Sequence, residues 1–381
     1  MSVLIEASPR NAFPSWTLEA VGSGDAQGAV IAPFEVPPTD VPHHKGAEAM
    51  AAALHDVGAD VWFDPMTHGL QMPNVGDFRF YDAYDLWPGP PGDLWTPADQ
   101  EGHVRRVFAV QDHLGARHLG PAILLHHPAS ETSQSALELS HTAMELDDQC
   151  WLSIAGTSAC WSSAASALDA HIGALAQLEP AGWFLTVARH ISILPGDASQ
   201  EEVYGLCRTV RALSEYAPVY ISHGDLAALP AVAAGATSLG TGWDPRQRVC
   251  GFNSYVARDP GAEGGSWYTR PTLRGLLGSL KPNEAAILNS RDPALAHRLG
   301  PLPAPGAHEA FNRHLEILNE VVSTLEGLDL QDAYRWLMDA YQNAQGEWPR
   351  VVSITGTPQG AESWITPFQA GLGRYGADEG W

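Results

Sequence analysis

The chain has 381 residues and 45% of them are hydrophobic, enough to bury a large core as one barrel of about 250–300 residues with extensions, or as two domains. Its 44 acidic residues against 21 Lys and Arg give a formal charge of −23, which argues against binding nucleic acid without a basic partner, because phosphate contacts need clustered cations. No run approaches the roughly 18 apolar residues of a membrane span, and residues 1–15 hold Glu6 and prolines where a leader would have a basic start and an apolar core; the expectation is a cytoplasmic protein with a small-molecule ligand, no membrane contact and a composition that permits a homo-oligomer.

Taken in order, Val3 to Ile5 reads as part of an edge hairpin at the bottom of the main domain. Residues 28–34 (GAVIAPF) read as a buried strand ended by Pro33, 35–44 as a proline-rich loop, and 46–57 as a helix by its apolar spacing. The next strand, 61–63, contains Trp62 and has Asp64 and His68 at its tip, which completes a first βαβ unit. Residues 69–99 break the rhythm with aromatics, prolines and glycines and read as an inserted functional loop or lid. Thr96-Pro97-Ala98-Asp99 then starts a helix over 100–114.

Strands at 118–125, 151–155 and 182–188 alternate with helices at 133–146 and 162–178. Their tips carry His126 and His127, Thr157 and Ser158, and Arg189 and His190. A helix over 201–216 leads into the most informative stretch, 216–248, where two short apolar runs end in His223-Gly224-Asp225 and in Gly240-Thr241-Gly242-Trp243-Asp244. After a glycine-rich excursion over 248–269, residues 271–280 read as a short helix and 285–288 as an eighth strand. Eight alternations over about 270 residues predict an α/β chain folded as a (β/α)8 TIM barrel. The barrel spans residues 1–299 with the insertion at 69–99, and 300–381 form a helical C-terminal extension: a spacer over 300–306, helices over 307–326 and 330–343, and a Gly/Pro/Trp-rich tail from Gln345. That tail is expected to pack on the barrel, since exposed Trp348, Trp364 and Trp381 would be costly.

A barrel brings its strand tips to one mouth, and histidines meeting carboxylates there suit acid–base catalysis or a divalent metal. His126, His127 and His190 are the candidate metal ligands. The His-x-His of barrel hydrolases is replaced by adjacent His43-His44, so a metal-dependent hydrolase stands as an alternative. Gly240, Thr241 and Gly242 offer backbone N–H groups to an anion, with Arg246 as a clamp. Gly156-Thr157-Ser158 lacks the nucleophile-elbow pattern, and the separated cysteines Cys150, Cys160, Cys207 and Cys250 read as buried thiols.

The central stretch resembles the tRNA-guanine transglycosylase superfamily, including its deazaguanine-inserting relatives. The resemblance runs through residues 220–224, 226–235 and 237–243 to Asp244-Pro245-Arg246; 64–71 (DPMTHGLQ) looks similar to the family's earlier strand tip, and 111–116 (QDHLGA) to a helix end. It implies a barrel with a nucleobase- or nucleoside-sized pocket and glycosyl transfer. Laid without gaps, the family's nucleophilic aspartate falls on Gly240, Asp244 is the nearby acid, and the zinc-binding cysteines have no counterpart. A flavin-dependent barrel similar to the dihydrouridine synthases, and a catalytically silent barrel serving as a binding or assembly subunit, stay open. The resulting roles are Asp64 and Asp244 as nucleophile or base, with Asp225 beside them; His68 and His223 as proton carriers; Arg189 and Arg246 as anion clamps; and Trp62, Trp243, Thr157 and Ser158 against the ligand.

Overall fold

Short apolar strands joined by helices must all run the same way, and a parallel sheet built like this is buried on both faces. The computed structural model, which describes residues 2–8, 12–76, 80–256 and 268–381, follows that plan. Its parallel strands are Ser2–Glu6 (β1), Gly28–Ile31 (β2), Asp60–Phe63 (β3), Leu119–Gly120 (β4), Leu124–Leu125 (β5), Trp151–Thr157 (β6), Gly182–Ala188 (β7), Val219–Ser222 (β8) and Ser238–Thr241 (β9). They are bonded in the order β3-β2-β1-β9-β8-β7-β6-β4, with β5 also on β6. β4 and β5 share one place, pairing with Trp151–Leu152 and Ala155–Gly156 in turn, so the nine strands make eight staves of a (β/α)8 barrel. Pro121, which has no N–H to give, lies in the interruption.

The strand that completes the barrel is β1, not the segment 285–288. Val3, Leu4 and Ile5 are all buried, as a strand covered on both faces requires, and β1 pairs with β2 on one side and β9 on the other. Residues 285–288 belong instead to helix Pro282–Arg291, where Ala285 and Leu288 share one buried face. The helix expected over 271–280 is a two-stranded antiparallel hairpin, Thr272–Leu273 with Gly278–Ser279. The first helix, Phe13–Ser23 (α1), follows β1 and supplies the crossover that an edge hairpin would not need.

Between strands come Ala47–Asp56 (α2), Pro97–Leu114 (α3), Glu131–Leu146 (α4), Ser158–Trp161 (α5), Ala165–Ala176 (α6), Gln200–Ser214 (α7) and Leu229–Ala233 (α8). Helix α3 begins where its capping signal lies: Thr96 Oγ1 accepts from Asp99 N–H at 3.2 Å and Thr96 N–H donates to Asp99 Oδ2 at 3.1 Å. The single turn of α8 cannot cover β8 and β9. Beyond Pro245–Arg248 (α9), Pro282–Arg291 (α10) and Pro293–Leu299 (α11), the chain therefore returns as Ala307–Glu326 (α12), which packs on β1 and α8, Leu330–Thr355 (α13), on α8, and Ile365–Asp378 (α14), on α7. The extension completes the outer layer of the barrel, and its tail is helical, with Gln345 and the buried Trp348 inside α13. Parts of the two irregular segments, 77–79 and 257–267, lie outside the described residues. Among the described residues no helix is long and apolar enough to cross a membrane, and all four cysteines are buried free thiols.

Inside the barrel, Leu4, Val30, Trp62, Leu119, Trp151, Phe184 and Tyr220 form a separate apolar cluster, with Trp62 edge-on to Trp151 at 4.7 Å. The barrel has one seam, because β3 and β4 do not pair. The Gln111 side chain of α3 fills it: Nε2 donates to Phe63 O and to Leu119 O, both at 3.0 Å, and Oε1 accepts from Leu119 N–H at 3.1 Å. One amide thus satisfies three backbone groups that a neighbouring strand would otherwise pair. Gln111→Leu strands these groups in a fully buried place and is expected to lower the free energy of unfolding by about 3 kcal/mol or more, read from urea denaturation with an unchanged slope; stability within about 0.5 kcal/mol of wild type would show that the seam does not depend on this side chain.

Candidate active site

Two stretches of the chain repeat one pattern, three apolar residues followed by an acid: Val3-Leu4-Ile5-Glu6 and Val61-Trp62-Phe63-Asp64. Side chains alternate along a strand, so an acid two residues beyond an inward-facing Leu4 or Trp62 also faces inward, one layer nearer the mouth. Glu6 and Asp64 are 3% and 4% exposed and stand at the C-terminal ends of β1 and β3. Glu6 lies outside the expected site because an edge hairpin over residues 3–5 would not carry it to the mouth.

Glu6 Oε1 accepts three hydrogen bonds, from Tyr220 Oη at 3.0 Å, Ser222 Oγ at 3.1 Å and the His223 N–H at 3.0 Å. Its other oxygen, Oε2, lies 3.9 Å from His223 Nε2 and has no hydrogen bond among the described residues. Gly240 makes this arrangement fit. A Cβ there would stand 2.2 Å from Glu6 Oε1 and 2.3 Å from Tyr220 Oη, so the carboxylate of β1 fills the space that a side chain on β9 would need. His223 holds a left-handed backbone (φ 49°) while its Nδ1 meets Gln247 O at 3.1 Å, which turns its N–H toward Glu6.

Asp64 Oδ1 accepts from Met66 N–H at 2.8 Å, and Met66 is again left-handed (φ 47°). Burial pushes the Asp64 carboxyl up to about 7; the Met66 hydrogen bond opposes this, the negative charge of Glu6 adds to it, and His223 pulls the other way. Asp64 therefore holds its proton far more readily than a solvated aspartate. His68 is 2% exposed and its Nε2 has no hydrogen-bond partner among the described residues. Burial, aided by the nearby His223, lowers its imidazole to about 3, which favours the neutral ring.

Other expected site residues have structural partners. Asp225 and Thr241 face the outer layer: Asp225 Oδ1 pairs with His314 Nε2 at 2.8 Å and accepts from Thr241 Oγ1 at 3.2 Å, which fastens α12 to the barrel wall. Asp244 caps α9, accepting from Arg246 N–H at 2.9 Å and from the Arg246 guanidinium at 3.2 Å, so neither is an uncommitted nucleophile or clamp. Gly242 leaves room for Gln247, whose Oε1 accepts from the Trp243 N–H at 3.0 Å and whose amide donates to Glu6 O. Arg189 is held by both oxygens of Glu202, which also receives Ser158 Oγ, and Thr157 caps α5. Trp62 fills the barrel beneath Asp64, and Trp243 belongs to the main core. His126, His127 and His190 are exposed, and among the described residues no group of three or more His, Cys, Asp or Glu comes together in a way that could hold a metal ion. The mouth thus gathers Glu6, Asp64, His68, Tyr220, Ser222 and His223, of which only Asp64, His68 and His223 were expected.

No family model matches the chain, and no curated protein matches it in sequence. Among solved structures it is similar to Eubacterium rectale Amy13B, at 10% identity over 84% of this chain and 78% of that one with a TM-score of 0.40. It is also similar to an L-ribulose 3-epimerase, at 13% identity over 88% and 96% with a TM-score of 0.35, and to the Thermobacillus composti GH10 xylanase, at 10% over 63% and 83% with a TM-score of 0.34. Likenesses this distant leave the chemistry to the side chains of the mouth.

A carboxyl raised from 3.8 to about 7 binds more proton in the folded than in the unfolded chain. The stability it contributes is full below pH 3.8 and is lost as pH rises through about 7. Asp64→Asn keeps the acceptor for Met66 N–H and removes the titration. The variant is expected to match wild type near pH 4 and to exceed it by about 2–4 kcal/mol at pH 8, measured by urea unfolding at both values; equal stability at pH 8 would mean that Asp64 ionises without hindrance.

Proposed function

We propose that the chain is a carboxylate-dependent glycosyl-transfer enzyme acting on a small polar, nucleoside-like ligand at this mouth, transglycosylase-like with a displaced nucleophile. The observation that carries the reading is the position of Glu6. The resemblance places a nucleophilic acid at Gly240, and the atoms standing where a Gly240 side chain would go are the carboxylate of Glu6 and the Tyr220 hydroxyl. The acid is supplied by the adjacent strand, and glycine is what admits it.

The chemistry follows from two carboxyl groups in unlike surroundings. Glu6 Oε2, which carries no hydrogen bond among the described residues, attacks the anomeric carbon; the electrons of the glycosidic bond pass to the leaving base, which takes the proton of Asp64. An incoming base or water then gives its proton to the Asp64 carboxylate and displaces Glu6, which restores both groups. Tyr220, Ser222 and the His223 N–H hold Oε1 and fix the angle of attack. The neutral His68 Nε2 is available to the ligand's polar groups. The metal-dependent alternative lacks a converging ligand set among the described residues.

The test is a panel of nucleosides and aryl glycosides with release of base or phenol as readout, followed by trapping with a 2-fluoro-sugar substrate analogue and peptide mass mapping. The adduct is expected on the peptide containing Glu6; Glu6→Gln should lower kcat by at least about 10³-fold, and Asp64→Asn by about 10²–10⁴-fold. Turnover unchanged in both variants, or an adduct on another carboxylate, would overturn the reading.

A further inference from the structure

A second cavity, of about 320 Å³, lies between the tips of β8 and β9, the hairpin after residue 270 and the loop that joins α13 to α14. None of Glu6, Asp64, His68 or His223 lines it. Its deepest cation is Arg248, 2% exposed and placed by two contacts: Nε donates to Gly242 O at 2.7 Å, and the guanidinium lies 4.9 Å from the centre of the Tyr268 ring. The rest of its fork has no hydrogen-bond acceptor among the described residues. The nearest carboxylate oxygen, Asp225 Oδ2, is 4.0 Å from Nη1, too long for a hydrogen bond, and the other Asp225 oxygen is engaged by His314 and Thr241.

Two more cations open onto the same space. Arg270 stands 5.9 Å from the Tyr268 ring and forms no ion pair among the described residues, and Lys281 Nζ is 3.9 Å from Glu284. Three cations against Asp225 and Glu284 leave the lining one charge positive, in a chain whose total is −23. Ser279 and Gln359 add neutral donors on the walls. A guanidinium fork held rigid and nearly dry, with a second Arg and a Lys within one small cavity, matches a tetrahedral oxyanion better than a flat carboxylate, because the oxyanion offers acceptors to all three at once.

We infer that this cavity is a binding site for the phosphoryl group of a small phosphorylated molecule, separate from the carboxylate mouth. Arg248 is the anchor, Arg270 and Lys281 close over the anion from the solvent side, and Asp225 fixes the wall through its bonds to His314 and Thr241. The expected anion clamps, Arg189 and Arg246, are committed to Glu202 and to Asp244 and Glu35, whereas Arg248, two residues beyond Arg246, keeps the outer part of its fork free of hydrogen bonds among the described residues.

The probe is inorganic phosphate, titrated into the full chain by calorimetry and followed by 31P line broadening, against acetate and chloride at matched ionic strength. Saturable phosphate binding at one site per chain is expected, with acetate at least tenfold weaker. Arg270→Ala, a change at an exposed position, should keep the melting temperature without phosphate and weaken binding at least tenfold; Arg248→Lys, which keeps the charge but not the fork, should weaken it as well. Asp64→Asn should bind phosphate as wild type does, which separates this site from the mouth. The inference is overturned by the absence of saturable phosphate binding, by acetate binding as tightly, by full binding in Arg270→Ala, or by loss of binding in Asp64→Asn.

Discussion

A single carboxylate oxygen joins three neighbouring strands at the top of the barrel. Glu6 Oε1, on β1, is held by Tyr220, Ser222 and the His223 N–H on β8, and the contact crosses over Gly240 on β9. A buried charge is tolerated when its hydrogen-bonding capacity is met, and each donor here is itself fixed: Tyr220 by the aromatic stack inside the barrel, His223 by Gln247 O. The same bonds tie β1 to the end of β8 across β9 and set the geometry of the mouth. Stability and site are therefore one constraint, and a change at Gly240 would act on both.

Two other places in the barrel, the β3–β4 seam and the outer face of β8 and β9, meet complementary demands. Where β3 and β4 fail to pair, a side-chain amide takes the part of a strand, and where α8 is too short to cover its strands, the returning helices α12 and α13 do so. His314 of α12 reaches Asp225 and Thr241 on the barrel and Thr272 on the hairpin, the last at 2.9 Å, so the extension is tied by a buried polar network as well as by apolar packing. The chain from 300 onward is the outer wall of the barrel, and the anion cavity exists because that wall stands off from the strand tips.

The barrel itself was legible from the alternation of short apolar runs with helical stretches, and most helices fall where their spacing put them. What failed was phase. Val3 to Ile5 is short, so nothing local distinguishes a buried barrel strand from an edge; with an edge there, eight strands are reached only if residues 285–288 form one, and they are helical. At the site, strand tips could be located but not the direction of their side chains. Asp64 and Asp225 follow similar runs, yet one faces the mouth and the other the outer wall, because the turn after β8 places two residues, His223 and Asp225, in the left-handed region around Gly224. Local sequence does not encode that choice; the tertiary partners Glu6 and His314 do.

The distribution of hydrogen bonds separates support from chemistry more sharply than residue type does. Arg189, Asp244, Arg246, Thr157 and Ser158 are reactive in kind, but each is engaged by a neighbour that fixes a loop or caps a helix. Three polar groups in the mouth keep unused capacity in nearly dry surroundings: Glu6 Oε2, Asp64 with its proton, and His68 Nε2. Leaving a polar atom such as His68 Nε2 buried without a partner among the described residues costs about 1–3 kcal/mol, and the left-handed backbone at Met66 and His223 adds to the cost. Glu6 and Asp64 share an address at the C-terminal end of the barrel, where such folds carry their chemistry, and this is the ground on which they are proposed as the reacting pair.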